Sequence, residues 1–182
     1  MSELLVPPED ITREVSEYGK KLSSFISSHR FPSGLLNSPD HVMIKSATPG
    51  DFGKKAREIK DWAEYMAFTQ IDWRFLVAAR LIVPLSITRN RPVSWVEIME
   101  AKSPDGTADY IGAEYATFFF DNFGAAETLI RREKIPVERR ADGAHRWLSI
   151  NINDQGQELR ITDKCLTDTI GKELDDQTAW LI

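Results

Sequence analysis

The chain has 182 residues and a formal net charge of −5 at pH 7. That length is sufficient for one well-buried domain, or for two small half-domains that share a core. The acidic balance argues against a broad nucleic-acid footprint, and no stretch approaches the roughly 20 apolar residues of a membrane span. The single cysteine, Cys165, excludes an intramolecular disulfide and fits a reducing compartment. With no signal-peptide pattern at the N-terminus, we predict a cytoplasmic protein without nucleic-acid or membrane partners.

The first segment carries apolar residues at a spacing of three and four, which predicts an amphipathic helix between Pro8 and Pro32. Nothing in this helix suggests chemistry. We therefore assign residues 1–36 to a helical extension that packs on a main domain of residues 37–182.

The main domain begins with an alternating strand at 40–45, followed by Thr48, which can cap a helix that runs to about residue 62. Three strand-like runs follow, and their bounds are 66–71, 74–81 and 93–99. The element order of this first module, about residues 40–102, is βαβββ.

The same pattern starts again in a second module, about residues 113–165. A strand over 115–121 precedes a helix that Asn122 can cap and that runs to about residue 134. Strands at 137–140, 146–153 and 157–163 complete the module, and Asp142-Gly143 predicts a hairpin between the first two. Two βαβββ modules predict an α+β fold with a cupped mixed sheet, since neither half-sheet can bury both faces alone.

Three short stretches resemble a known superfamily when taken in their order and spacing. They are Asp40-His41-Val42-Met43-Ile44-Lys45, Ser94-Trp95-Val96-Glu97 and Gly112-Ala113-Glu114-Tyr115. Over about residues 35–165 the chain resembles the vicinal-oxygen-chelate superfamily of glyoxalases and extradiol dioxygenases, and within it the YecM-like proteins. The resemblance implies a divalent metal, zinc or another first-row ion, in the cup.

In that superfamily the first and fourth strands of each module supply the metal ligands. Carried over, His41 and Glu97 match the ligand positions of the first module. The matching positions of the second module hold Tyr115, where histidine is usual, and Arg160, where a carboxylate is expected. The resemblance thus implies His41, Glu97 and Tyr115 as metal ligands, with Glu97 and Tyr115 as the catalytic groups.

The departures leave an alternative open. Neutral tyrosine is a poor ligand and arginine opposes a metal, so Arg160 can instead pair with Glu97 in the place of the metal. Lys45 and Arg80 are further cations that could attract a carboxylate or phosphate of a ligand.

Three functional hypotheses therefore remain at this point, and the question of enzyme or non-enzyme stays open. The first is a metal-binding isomerase, lyase or dioxygenase acting on an unknown small molecule. The second is a metal-free module that binds a small ligand. The third is an interaction protein that docks through its N-terminal helix. Both a monomer and a homodimer are compatible with the sequence.

Overall fold

The computed structural model describes residues 8–71, 74–100 and 110–168. Within these ranges the helices are α1 (Glu9–His29), α2 (Pro49–Lys60) and α3 (Phe123–Arg132), and a short 3-10 helix covers Ser33–Leu36. The strands are β1 (Pro39–Ser46), β2 (Ala63–Ile71), β3 (Arg74–Thr88), β4 (Arg91–Glu100), β5 (Gly112–Phe119), β6 (Glu138–Asp142), β7 (His145–Asn151) and β8 (Glu158–Thr162). In this part of the chain, none of the helices is long and apolar enough to cross a membrane.

The strands form one mixed sheet in the order β2-β3-β4-β1-β5-β8-β7-β6. β1 pairs in parallel with β4, β5 pairs in parallel with β8, and the two halves meet where β1 and β5 run antiparallel. Each half has the order βαβββ, so the predicted fold class is confirmed. The division at residues 36 and 37 stays a prediction.

The two faces of the sheet bury different side chains. Val42 and Ile44 of β1 belong to a large apolar core that also includes the buried sides of α1, α2 and α3. The opposite face carries His41, Met43 and Lys45, because successive side chains of a strand alternate. We call this second face the cup face. It holds a smaller apolar cluster, whose buried members are Met43, Leu76, Ala78, Met99 and Tyr115.

Local sequence signals account for the starts of α2 and α3 and for one hairpin. The Thr48 hydroxyl accepts a hydrogen bond from the Asp51 N–H at 3.1 Å, and the Asn122 side chain accepts one from the Ala125 N–H at 2.9 Å. Both predicted caps are therefore confirmed. The β6–β7 hairpin also forms, with Gly143 at a φ of 55° in its turn.

Strand β3 differs from the prediction because it continues past Leu81 to Thr88. Pro84 lies in this continuation, where proline is normally unfavourable because it has no N–H to donate. The register with β4 is interrupted between Arg80 and Leu85, so Pro84 falls in the irregular part of the ladder. The strand can therefore include a proline without losing a regular pair.

Helix α1 packs on the sheet with its apolar stripe buried. The Tyr18 hydroxyl donates to the Glu158 carbonyl at 2.6 Å and accepts from the Ala116 N–H at 3.1 Å, which joins β8 and β5 through one side chain. The hypothesis of a docking helix required an exposed stripe. It loses that support because the stripe is part of the main core.

Gly19 marks the closest approach of α1 to β3. A Cβ at this position would lie 1.6 Å from the carbonyl oxygen of Ile87. We expect Gly19→Ala to lower the free energy of unfolding by about 3 kcal/mol, because the helix has to move away from backbone atoms. Urea denaturation followed by circular dichroism measures this change.

Gly53 of α2 provides the matched control. Its added Cβ would make only an ordinary contact of 3.5 Å with the Arg57 side chain. Gly53→Ala should therefore raise the free energy of unfolding by about 0.5 to 1 kcal/mol through helix propensity. Equal effects of the two substitutions would contradict the close-approach explanation.

Candidate functional site on the cup face

Three neighbouring strands bring the predicted residues of the first module and Tyr115 together. His41 of β1 pairs with Thr117 of β5, while Met43 lies between Glu97 of β4 and Tyr115 of β5. The four polar residues lie on one face, and each is at most 8% exposed. We call His41, Glu97, Tyr115 and Thr117 the His41 cluster.

The imidazole of His41 has polar neighbours at both nitrogens. Its Nδ1 lies 2.8 Å from the Asp40 carboxylate, and its Nε2 lies 3.4 Å from Glu97 Oε2 and 3.2 Å from Thr117 Oγ1. The same Asp40 oxygen accepts the N–H of Leu166 at 2.9 Å, which fixes the carboxylate in place. A carboxylate near each ring nitrogen favours the doubly protonated imidazolium.

Burial and charge act together on the His41–Glu97 pair. Desolvation raises the pKa of Glu97, and the nearby charges of His41 and Arg160 oppose this only in part. At His41, desolvation acts to lower the pKa, but the charge of Glu97 and the hydrogen bond and charge of Asp40 outweigh it, so the pKa is raised. Each group therefore holds a proton more strongly than it would in water.

Tyr115 lies on the other side of Glu97. Its hydroxyl donates to Glu97 Oε2 at 3.5 Å, and its ring meets the His41 ring edge to face with centroids 5.9 Å apart. Burial, followed by the charge of Glu97, raises the pKa of Tyr115. The phenol is therefore neutral at any physiological pH, and it serves the site as a hydrogen-bond donor.

Arg160 occupies the position in the second module that corresponds to Glu97 in the first. Tyr115 pairs with Glu158 and Thr117 pairs with Arg160, just as His41 pairs with Trp95 and Met43 with Glu97. The two registers therefore relate Tyr115 to His41 and Arg160 to Glu97.

The guanidinium of Arg160 does not form the ion pair with Glu97 that the alternative to a metal site requires. Its Nε donates to Glu158 at 2.9 Å, and its Cζ lies 3.3 Å from the centroid of the Tyr115 ring. Arg140 pairs with the other oxygen of Glu158 at 2.9 Å. The strand geometry explains the difference, because Glu158 lies two residues away on the same face, while Glu97 lies across β1 and β5.

The other two predicted cations have different surroundings. Lys45 is buried and pairs with Glu114 at 2.7 Å, at a point where the register of β5 shifts and Glu114 is the extra residue. Arg80 is exposed and pairs with Glu64 at 2.8 Å. The structure therefore does not bring Arg80 to the His41 cluster.

The residues present do not fit a catalytic divalent metal. In residues 8–71, 74–100 and 110–168, no group of three or more His, Cys, Asp or Glu side chains is arranged to hold an ion. Tyr115 has to lose a proton before it can be a good ligand, and burial disfavours that loss. Arg160 adds a permanent positive charge at the fourth position. Only His41 and Glu97 remain as ordinary ligands.

Sequence reasoning missed two members of this site. Asp40 was overlooked although it directly precedes His41, because a carboxylate at the start of a strand is usually solvated. Thr117 shares a face with Tyr115 at a spacing of two, which was the only available signal. Its contact with His41 depends on the register of β1 against β5, which sequence periodicity does not determine.

Comparisons with known proteins find solved structures of similar fold. No protein-family model matches this chain, and no curated protein matches it significantly. Among solved structures, a structural-genomics protein named EC4020 is similar with a TM-score of 0.64 and 14% identity, over 94% of this chain and all of that one. Methylmalonyl-CoA epimerase from Mycobacterium tuberculosis gives a TM-score of 0.49 and 16% identity, over 75% of this chain and 93% of the epimerase.

The chain has the glyoxalase/dioxygenase-like fold, with two βαβββ halves in one mixed sheet. At 14% identity the similarity to EC4020 shows the fold alone. Assignment to the YecM-like proteins stays a prediction.

The raised pKa of His41 makes stability depend on pH. The folded state binds this proton more tightly than the unfolded state, so its stabilising contribution is present below the unfolded pKa and is lost as the pH rises through the folded pKa. We expect the free energy of unfolding of the wild type to fall as the pH rises above about 6.5, the ordinary pKa of histidine. His41→Gln should flatten that fall.

Urea denaturation at a series of pH values measures the dependence. His29→Gln is the matched control, because His29 is exposed at the end of α1. It removes a histidine without touching the cluster. If both variants show the same slope as the wild type, the His41 ring does not carry the stabilising charge described above.

Proposed function

We propose that this protein binds a small molecule on its cup face and does so without a catalytic metal. The observation that carries the proposal is the His41–Glu97 pair, which lies at two of the superfamily's ligand positions with Nε2 and Oε2 at 3.4 Å. The other two positions hold a neutral phenol and a guanidinium. A metal therefore has too few donors, while a polar ligand has several partners.

The cluster could move a proton as well as bind. Nε2 of His41, Oε2 of Glu97 and the Tyr115 hydroxyl converge on one region, and the imidazole and carboxylate both have raised pKa values. A group of the ligand placed there could exchange a proton with the pair, which is general acid–base chemistry. Thr117 and Asp40 would orient the ring. Isomerisation by proton transfer is thus the activity that this arrangement supports best.

A second candidate function is metal binding by His41 and Glu97 with the remaining positions open. One observation favours it: Asp40 holds Nδ1 of His41 at 2.8 Å, as second-sphere carboxylates do for metal-bound histidines. The same contact equally supports a fixed, protonated ring. The two functions differ in what they predict for added metal.

The deciding experiment is elemental analysis of protein purified without added metal, together with thermal denaturation in the presence of Zn²⁺ or Mn²⁺. We expect less than one ion per ten chains and an unchanged Tm. A site filled at about 100 times its Kd would instead add about 2.7 kcal/mol to the free energy of unfolding. His41→Gln and Glu97→Gln test whether any ion found is held by the cluster.

His29→Gln is again the control, because an exposed histidine can bind these ions weakly without a built site. One bound ion per chain that is lost in His41→Gln and Glu97→Gln but kept in His29→Gln would overturn the metal-free proposal. It would establish the second candidate instead.

A variant designed to gain metal binding tests the same proposal. Tyr115→His with Arg160→Glu would place the superfamily's expected residue types at the two positions of the second module. We expect this double variant to bind Zn²⁺ with a stoichiometry of one by isothermal titration calorimetry, while the wild type shows no saturable heat. Binding by the wild type at similar affinity would contradict the explanation based on Tyr115 and Arg160.

A cytoplasmic location belongs to the same proposal. It rests on the cysteine count of the sequence, since a chain with a single cysteine cannot form an intramolecular disulfide and fits a reducing compartment.

A further inference from the structure

Strand β7 presents a row of polar atoms to the cup face. His145, Trp147 and Ser149 alternate along the strand, so their side chains share one face. Nδ1 of His145, Nε1 of Trp147 and Oγ of Ser149 are each buried, and none has a hydrogen-bond partner within the described ranges. Three such atoms in a row on one strand need a common explanation.

Chance packing is a poor explanation, because a buried polar atom without a partner costs free energy and is rare in native proteins. Ser149 is only 4% exposed, so solvent does not satisfy its hydroxyl directly. The row instead has the composition of a binding surface. The indole N–H can only donate, and the serine hydroxyl can donate.

Arg160 lies beside this row. It pairs with Ser149 across β8 and β7, and its guanidinium lies between the rings of Tyr115 and Trp147, with Cζ 3.3 Å and 5.2 Å from their centroids. Only its Nε has a hydrogen-bond partner among the described residues, the carboxylate of Glu158. The two terminal nitrogens thus add further donors to the surface.

The charge available to a ligand is that of Arg160. Glu158 contacts Arg160 and Arg140, at 2.9 Å from each, and Glu138 contacts Arg140 at 3.0 Å, so Arg160 shares its one carboxylate partner with a second guanidinium. Its two terminal nitrogens therefore offer charged donors next to the row of unpartnered atoms.

We infer that Arg160, Ser149 and Trp147 form an anion subsite that holds a carboxylate or phosphate group of the ligand. Arg160 supplies the charge and paired N–H groups, and Trp147 and Ser149 donate to the remaining oxygens. Tyr115 separates this subsite from His41 and Glu97. The anionic group would anchor the ligand in the second module while its other end reaches the proton-transferring pair, an inference that rests on the proposed function above.

The test uses the whole protein and nuclear magnetic resonance of its indole N–H groups. Inorganic phosphate and benzoate are the probes, titrated at constant ionic strength with sodium chloride as the balancing salt. The Trp147 resonance is assigned by its loss in Trp147→Phe. We expect saturable shifts of this resonance with at least one probe, and the stronger probe identifies whether phosphate or carboxylate is preferred.

Substitutions then assign the donors. Arg160→Gln and Ser149→Ala should each weaken binding by about tenfold or more, because each removes a donor from a buried site. Arg80→Gln is the matched control, since it removes a cation of the first module that is exposed and paired with Glu64. Circular dichroism checks that each variant is folded, and Ser149→Ala keeps the test valid if Arg160→Gln does not fold.

Two outcomes would overturn the inference: no saturable shift of Trp147 with either probe, or an equal loss of binding in Arg80→Gln. Failure of the subsite is distinguishable from failure of the proposed function. Shifts confined to the His41 ring would reject the subsite and leave the cup as a ligand site. Trp147 shifts that require added Zn²⁺ would retain the subsite residues but reject metal-free binding.

Discussion

The buried carboxylate of Glu97 is the constraint on which the rest of the cup face depends. Its removal from water is costly, and desolvation is the largest influence on its pKa. The His41 ring compensates the charge of Glu97 through Nε2, and Asp40 contacts the other ring nitrogen, Nδ1. The central strands β1, β4 and β5 are therefore linked by one charged unit as well as by their backbone ladder. Any change in the charge of this unit has to be compensated by a ligand, a proton or water.

The corresponding positions of the two modules hold side chains of different chemistry. In the first module, a histidine and a carboxylate face each other. In the second, the corresponding positions hold a phenol and a guanidinium, which stack together instead of pairing as an ion pair. Arg160 is neutralised by Glu158 on its own strand, and Arg140 adds a second positive charge to that carboxylate. We therefore propose that the second module binds the anionic group of a ligand and that the His41–Glu97 pair of the first module exchanges a proton with it.

Much of the fold could be predicted because its signals are local. The helix caps at Thr48 and Asn122, the hairpin at Gly143 and the alternation of β1 each depend on a few neighbouring residues. The prediction placed His41 and Glu97 on one face because a period of two determines facing. The continuation of β3 through Pro84 was missed, since tolerance of a proline depends on an irregular register that only the paired strand reveals.

The parts of the site that escaped prediction depend on contacts between distant strands. The alternative in which Arg160 pairs with Glu97 is not found in the structure, because sequence shows which charges exist, while the sheet order determines which of them meet. The contact of His41 with Thr117 also depends on how distant strands pair, and so does the row of unpartnered atoms on β7. The ring of His145 lies 5.6 Å from that of Trp147 and one of its nitrogens is buried, a placement that no local pattern in the sequence indicates.

The most direct test of this account is the protonation state of the His41 ring, measured by ¹⁵N nuclear magnetic resonance at about pH 6.5, the ordinary pKa of histidine. The account predicts that both ring nitrogens are mainly protonated at this pH, and that the spectrum does not change when Zn²⁺ is added. A ring with an unprotonated Nε2 whose resonance shifts on addition of stoichiometric Zn²⁺ would contradict it.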